Sequence, residues 1–132
     1  MTRDDINLPG PLAEITAAFE RYEAALIGND VEVLDELFLM DARTIRYGIG
    51  ENLYGHAEIA AFRAARPSAG LERCLDRTVI TSYGSDFATA MTLFHRGGAD
   101  RIGRQSQTWA RIDGDWRIIA AHVSVIPNPE AA

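Results

Sequence analysis

The fold is decided by the stretch from Arg104 to Ser124, which reads RQSQTWARIDGDWRIIAAHVS. Two runs rich in aromatic and β-branched residues flank Asp113-Gly114, and an Asp-Gly pair in that setting predicts a β-hairpin with a two-residue turn. The predicted cross-strand pairs are Arg111 with Trp116, Trp109 with Ile118, Gln107 with Ala120, and Gln105 with His122. Side chains alternate between the two faces of a strand. One face would therefore carry Trp109, Gln107, Gln105, Ile118, Ala120, His122 and Ser124. Bulky side chains mixed with amides and an imidazole are typical of a pocket wall.

The register of this hairpin depends on its turn. A three-residue turn would move Ser106 and Thr108 to the pocket face instead, and the sequence leaves both registers open. With the two-residue turn, the opposite, outer face carries an apolar strip of Ile119, Val123 and Val125. Because an apolar face of that width is rarely left in water, we expect a homodimer that pairs through the sheet.

The segments before the hairpin predict three helices. Residues 11–28 carry apolar side chains at every third or fourth position, which predicts a helix with one buried stripe. The stripe consists of Leu12, Ile15, Phe19, Tyr22 and Leu26. Asp30 suits the N-cap of a second, shorter helix. A third helix is expected from about His56 to Arg66, where Pro67 ends it.

Strands fill the remainder of the chain. Short strands are predicted at 43–47 and 51–55, and long ones at 71–83 and 87–96, with a turn at Gly97-Gly98 before the hairpin. The order is therefore ααββαββββ, with four long antiparallel strands at the end. Helices gathered early and strands late predict an α+β fold in which one curved sheet wraps around the helices.

Length and composition indicate one globular domain, over residues 11–126, with flexible ends at 1–10 and 127–132. The chain has 132 residues, 47% of them hydrophobic and 24% charged. A net charge of −6 argues against nucleic acid or an anionic membrane as a partner. No apolar run approaches the roughly 18 residues of a membrane span, and no secretion signal is legible, so we expect a cytoplasmic protein.

Cysteine and histidine usage argues against a metal site. Cys74 is the single cysteine, which excludes an internal disulfide and a cysteine-based zinc site. The three histidines, His56, His95 and His122, show no metal-ligand spacing. We therefore expect no metal and no other cofactor.

Five motifs together resemble one protein family. They are Phe19-Glu-Arg-Tyr-Glu, Thr44-Ile-Arg-Tyr-Gly, Glu51-Asn-Leu-Tyr-Gly, Phe62-Arg-Ala-Ala-Arg-Pro and Ile102-Gly-Arg-Gln-Ser-Gln-Thr-Trp. Over roughly residues 12–126 the chain is similar to the AtzH-like (oxalurate-catabolism, DUF3225) family of the NTF2-like, or SnoaL-like, superfamily. The resemblance implies a cone, in which a bent sheet encloses a pocket capped by helices.

The resemblance also implies an activity. It indicates an amidohydrolase that acts on a small carboxylated urea, such as 1,3-dicarboxyurea, and gives allophanate. The setting it implies is bacterial catabolism of cyanuric acid and related nitrogen compounds, alongside an amidase. The expected partner is thus a small anionic, urea-type substrate.

Tyr22 and Arg46 are the candidate catalytic residues. Tyr22 lies on the buried stripe of the first helix, where its phenol is either a core group or a proton donor aimed into the cone; the resemblance favours the second. Arg46 lies on the opposite face of its strand from Arg43, which we interpret as solvated. A planar guanidinium can hold a carboxylate at two points and stabilise negative charge on a urea-type oxygen.

Six further residues are candidates for substrate binding. Arg66 would supply a second cation for a doubly carboxylated substrate, although cations at a helix C-terminus are also commonplace. Gln105 and Gln107 each offer a donor and an acceptor to a urea group, and His122 could orient substrate or act as a base, or be a satisfied interior histidine. Ser68, next to Arg66 in the following loop, and Asn52, at the expected rim, complete the set.

Two other functions stay open from the sequence. The chain could be a non-catalytic pocket or dimerisation module that assists a neighbouring amidase. It could also be an isomerase or cyclase that acts on an apolar ring with His122 as base, although the arginine and glutamine content of the predicted pocket disfavours this.

Overall fold

The computed structural model describes residues 1–97 and 100–129. Its helices are α1 (Pro9–Ile27), α2 (Val31–Leu37) and α3 (His56–Ala65). Its strands are β1 (Ile45–Tyr47), β2 (Asn52–Tyr54), β3 (Cys74–Tyr83), β4 (Phe87–His95), β5 (Arg101–Ile112) and β6 (Asp115–Pro127). The predicted α+β class and the order ααββαββββ are confirmed. Gly98, in the predicted turn, and residues 130–132, in the predicted tail, lie outside the described residues.

The six strands form one sheet in the order β2-β1-β6-β5-β4-β3. Neighbouring strands are antiparallel except for β1 and β6, which are parallel. The helices cover one face of the sheet, and the core between them is centred on Trp109 and Ile118 of the sheet, Ile15 and Phe19 of α1, and Leu34 of α2.

The buried stripe of α1, the N-cap of α2 and the end of α3 agree with the predictions from the sequence. The stripe residues Ile15, Phe19, Tyr22 and Leu26 are buried. Asp30 caps α2, where its carboxylate accepts a hydrogen bond from the backbone N–H of Val33 at 3.3 Å. Helix α3 ends at Ala65, directly before Arg66 and Pro67, because the residue that precedes a proline is disfavoured in a helix.

The amino-terminal residues contact the edge of the sheet. Ile6 forms an antiparallel bridge with Tyr83, and the Asn7 side chain accepts a hydrogen bond from the backbone N–H of Ser82 at 2.9 Å. Helix α1 then begins at Pro9, two residues before the predicted boundary. These contacts partly cover the exposed edge of β3, which would otherwise offer unpaired backbone groups.

The β5–β6 hairpin has the predicted turn but not the predicted register throughout. Arg111 pairs with Trp116 and Trp109 with Ile118, as the two-residue turn requires. A β-bulge follows, because Thr108 pairs with Ala120 and leaves Ile119 as an extra residue. A bulge reverses the faces of all later residues on its strand relative to the regular pairing. Beyond it Gln105 therefore pairs with Val123, and not with His122.

Because of the bulge, three predicted face assignments are wrong. Ala120, His122 and Ser124 lie on the outer face, whereas Ala121 and Val123 are buried on the inner face. The predicted outer strip of Ile119, Val123 and Val125 is therefore wrong. Gln105 and Gln107 keep their predicted inner positions and are buried, since the bulge lies on the other strand.

Candidate functional site

A cavity of about 240 Å³ opens between the helices and the inner face of the sheet. Its lining residues are Tyr22, Leu26, Arg46, Ile49, Glu51, Phe62, Arg66, Arg73, Phe94, Arg96, Gln105 and Val123. Four of these are arginines, and Glu51 is the single carboxylate. An enclosed space with that charge pattern is suited to an anion.

Arg46 reaches the cavity from the inner face of β1. Its Nη1 donates to Oε1 of Glu51 at 2.9 Å, and the side chain of Arg46 is largely buried. Gly48 leaves room for the carboxylate in this position, since a Cβ there would lie 1.7 Å from Oε1 of Glu51 and would displace it. By contrast, Arg43 points to solvent, as expected from alternation, and its side chain is 90% exposed.

Arg66 and Arg63 have different roles although they are three residues apart. Arg63 is buried, and its Nη1 donates to Asp35 at 2.8 Å. Arg66 has no ion pair with a described residue, and its Nε and Nη2 are buried without a hydrogen-bond partner. Burial lowers the pKa of Arg66, and the nearby positive charges of Arg63, Arg46 and Arg96 lower it further. A bound anion would relieve both penalties.

Arg73 and Arg96 both contact the Phe94 ring. The Cζ atoms are 4.5 Å and 5.4 Å from its centroid, within the range of cation–π contact. Arg73 forms an ion pair with Glu23 of α1. Among the described residues, Arg96 donates to backbone carbonyls, those of Gly70 at 2.9 Å and Glu72 at 3.2 Å. Burial and the charge of Arg73 lower the pKa of Arg96, and the nearby Glu23 carboxylate opposes this in part. Within the described chain, Arg96, like Arg66, is thus a cavity cation without an ion pair of its own.

The position of Phe94 depends on Gly103 of the neighbouring strand. Phe94 pairs with Gly103, and a Cβ at Gly103 would lie 2.1 Å from Cζ of the Phe94 ring. The ring therefore lies against bare backbone, which is one reason for a glycine inside a strand. This glycine indirectly sets where the two stacked arginines reach the cavity.

Tyr22 lies with its ring in the core and lines the cavity. The residue is 4% exposed, and its ring packs edge-on against Phe38 at 6.3 Å. Its hydroxyl makes no hydrogen bond to another residue in the described part of the chain. Arg66 is close enough for a charge on the Tyr22 oxygen to stabilise the guanidinium. The phenol is thus available to a ligand beside a cation.

The two glutamines have their oxygens occupied internally. Oε1 of Gln105 accepts from Nη2 of Arg73 at 3.0 Å, and Oε1 of Gln107 accepts from Nε1 of Trp109 at 3.1 Å. Their Nε2 atoms are buried without a partner among the described residues. The donor of each amide is thus free, whereas each oxygen already accepts one hydrogen bond. That the amides offer both a donor and an acceptor to the ligand stays a prediction.

Four predicted binding residues do not line this cavity. Asn52 pairs with Tyr47 and is exposed on the outer face, since its neighbour Leu53 takes the inner position. Ser68 is exposed in the loop after α3. Gln107 is buried beside Trp109, away from the lining. His122 lies on the outer face because of the bulge, with its ring 6.1 Å from that of Tyr47.

Sequence reasoning missed Arg73 and Arg96. Arg73 precedes β3 and contacts Glu23, fifty positions earlier in the chain. Arg96 follows β4 and contacts a loop more than twenty residues away. Both lie at strand ends, where a charged residue is ordinarily solvated, so no periodic pattern marks them. The clustering of arginines at the carboxyl end of α3 and at these strand ends was the available signal.

The outer face of the sheet carries a larger hollow of about 410 Å³. It is mainly apolar and includes Met91, Ser106 and His122 in its lining. Arg77 and Arg104 are its charged lining residues, whereas the smaller cavity brings together four arginines and one carboxylate, so the smaller cavity is the better candidate for chemistry.

Across residues 1–97 and 100–129, no group of three His, Cys, Asp or Glu side chains could hold a metal ion. No helix of the same residues is long and apolar enough to cross a membrane.

Comparison with known proteins identifies the family. The AtzH-like family matches residues 4–129. The chain belongs to the AtzH-like family. A protein of the DUF3225 family from Pectobacterium atrosepticum is 62% identical, with a TM-score of 0.94 over 96% of this chain and 98% of that one. A protein with a cystatin-like fold from Burkholderia xenovorans is 44% identical, with a TM-score of 0.90 over 94% and 98%. No curated protein matches the chain.

More distant structures share the fold alone. An NTF2-like protein from Pseudomonas putida is 18% identical, with a TM-score of 0.69 over 86% of this chain and 84% of that one. This likeness, together with the family, confirms the predicted NTF2-like architecture.

Proposed function

We propose that this AtzH-like protein is a metal-independent amidohydrolase that acts in the cytoplasm on a small carboxylated urea, such as 1,3-dicarboxyurea, and gives allophanate. One observation carries the proposal. Arg66 places a half-buried guanidinium in the cavity, and its Nε and Nη2 are buried without a partner among the described residues. Buried donors without a counter-ion are costly, and a carboxylate of the ligand is the natural partner.

The charges around the cavity fit a dianion. Glu51 pairs with Arg46 and Glu23 pairs with Arg73, which leaves Arg66 and Arg96 without an ion pair in the described chain. Two unpaired cations match two carboxylates. A neutral urea would leave both uncompensated.

The reaction consumes water and releases bicarbonate. The bond between one carboxylate carbon and its nitrogen breaks, water adds to that carbon, and the nitrogen gains a proton, which leaves allophanate. Tyr22 would give its proton to the nitrogen and recover one from the water, with Arg66 stabilising the transient phenolate. Arg46 keeps guanidinium N–H groups besides Nη1 for the carboxylate or for charge that develops on its oxygen. Loss of carbon dioxide after protonation of the nitrogen would use the same groups.

A second candidate is a binding module that assists a neighbouring amidase. It is favoured by the shortage of proton acceptors, since Glu51, the single carboxylate in the lining, is already paired with Arg46. Such a module would bind the dianion without turning it over.

Turnover separates the two candidates. The purified chain is mixed with freshly generated ¹³C-labelled 1,3-dicarboxyurea, and bicarbonate and allophanate are followed by ¹³C NMR against the uncatalysed background. Acceleration that Arg46→Lys lowers and Arg104→Lys leaves unchanged supports the amidohydrolase, because Arg104 lies on the outer face. Binding of the dianion without acceleration would support the module instead.

A further inference from the structure

The buried ion pair between Glu23 and Arg73 has a third member. Arg73, whose side chain is 2% exposed, donates from Nε to Oε2 of Glu23 at 3.2 Å and from Nη2 to Oε1 of the same carboxylate. The same Nη2 donates to Oε1 of Gln105 at 3.0 Å. The three side chains join α1, the residue before β3 and the middle of β5, and two of them, Arg73 and Gln105, line the cavity.

This contact fixes which way the Gln105 amide points. Arginine has donors and no acceptor, so the oxygen of the amide must face it, and the reversed amide would bring two donors together. The Nε2 group is left buried without a partner, in a residue that lines the cavity and is 4% exposed. Such a donor is unfavourable unless the ligand accepts from it.

We infer that Gln105 determines specificity in the cavity: the Glu23–Arg73 pair holds its amide so that the NH₂ group donates to an oxygen of the bound ligand. The inference rests on the proposed function, and it narrows the substrate class. Within the part of the chain that the structure describes, the buried side-chain atoms that line the cavity without a partner are Nε and Nη2 of Arg66 and Nε2 of Gln105, all of them donors. The site therefore selects ligands that present oxygen acceptors to both residues. A ligand that points N–H groups at the free NH₂ group of Gln105 is rejected, because two donors would then face each other.

Glu23 and Arg73 are positioning residues in this scheme. Glu23 neutralises Arg73, so ligand carboxylates are directed to Arg66 and Arg96 instead. Arg73 in turn acts on the ligand only through the amide of Gln105. The stacking of Arg73 on Phe94 holds it in place.

The probe is 3-oxoglutarate, which keeps both carboxylates and the central carbonyl of 1,3-dicarboxyurea but has CH₂ in place of each NH. The chain has two glutamines, Gln105 and Gln107, and four asparagines, so its side-chain amides give few signals in a ¹H–¹⁵N NMR spectrum. The signals of Gln105 are those missing from the Gln105→Glu spectrum. Saturation with 3-oxoglutarate should shift the Gln105 signals and leave those of Gln107 in place, which makes Gln107 an internal control.

Affinities of the variants complete the test. Gln105→Glu keeps an acceptor for Arg73 but removes the donor, and it should weaken 3-oxoglutarate binding at least about tenfold, as expected for loss of one hydrogen bond to a charged or polarised oxygen. Ala13→Glu, on the exposed face of α1, adds the same charge and should change the affinity less than about twofold. Glu23→Gln should reduce the ligand-induced shift of the Gln105 signals, which a purely structural role would not do.

Failure of the inference about Gln105 can be distinguished from failure of the proposed function. Binding of 3-oxoglutarate to the wild-type chain without a shift of the Gln105 signals would overturn this inference and leave the anion site standing. Absence of both 3-oxoglutarate binding and turnover in the wild-type chain would overturn the proposed function together with it. If Glu23→Gln does not fold, the wild-type spectrum still decides the question.

Discussion

Replacing Tyr22 with phenylalanine removes one oxygen from the cavity and leaves the ring in the core. If Tyr22 transfers a proton, turnover should fall by about 10² to 10⁴, the usual contribution of a general acid. The fold should hardly change, because the ring keeps its edge-on contact with Phe38.

The expected change in stability follows from the contacts of the hydroxyl. It makes no hydrogen bond to a described residue, so the substitution breaks none, and we expect the free energy of unfolding to change by less than about 0.5 kcal/mol. For a domain of this size that corresponds to a Tm shift within about 2 °C. A core tyrosine with a satisfied hydroxyl would instead lose about 1 kcal/mol and little activity.

Turnover and Tm are to be measured on the same sample of Tyr22→Phe. Tyr47→Phe is the matched control, because Tyr47 lies on the outer face, where its hydroxyl contacts that of Tyr54 at 3.2 Å. Unchanged turnover with a lowered Tm would make Tyr22 a core residue and refute its assignment as the proton donor.

Three further predictions concern the site and the assembly. Arg46→Lys should lower turnover about 10- to 100-fold, because an ammonium cannot reproduce the two-point contact of a guanidinium; activity close to wild type would remove Arg46 from the mechanism. Turnover should survive EDTA, since no three His, Cys, Asp or Glu side chains of the described residues are placed to hold a metal ion; loss that zinc or manganese restores would contradict this. We expect a homodimer that pairs through the outer face, where Met91 and Phe87 are exposed, so Met91→Glu should weaken it. Light scattering that gives the monomer mass of 14.5 kDa at every concentration would refute the dimer.

The sequence predicted the order of elements and part of the site. The three- and four-residue spacing in α1 gave the inward position of Tyr22, and strand alternation separated Arg46 from Arg43. Both signals are local. The same reasoning placed Gln105 correctly, because no irregularity interrupts β5 between the turn and that residue.

The rest of the cavity depends on contacts that no local pattern encodes. Arg73 is defined by Glu23 in another element, and Arg96 by backbone carbonyls of a loop. The predicted position of His122 was wrong because Ile119 forms a bulge. Nothing in the sequence marks this residue, since its β-branched side chain is that of an ordinary strand residue. The hydrogen-bond partner of each glutamine likewise appears only once the chain is folded.

The bulge at Ile119 makes the chemistry of two surfaces depend on the register of β6. If Ile119 took a regular place in the ladder, Gln105 would lie opposite His122 and the imidazole would enter the cavity in place of Val123. The same register would turn Val123 and Val125 outward and make the exposed sheet face more apolar. A titratable group would thus be gained inside, and an aggregation-prone surface outside, without any substitution. Deletion of Ile119 would instead remove the bulge and keep Gln105 opposite Val123, so relatives that lack this one residue are expected to keep both surfaces.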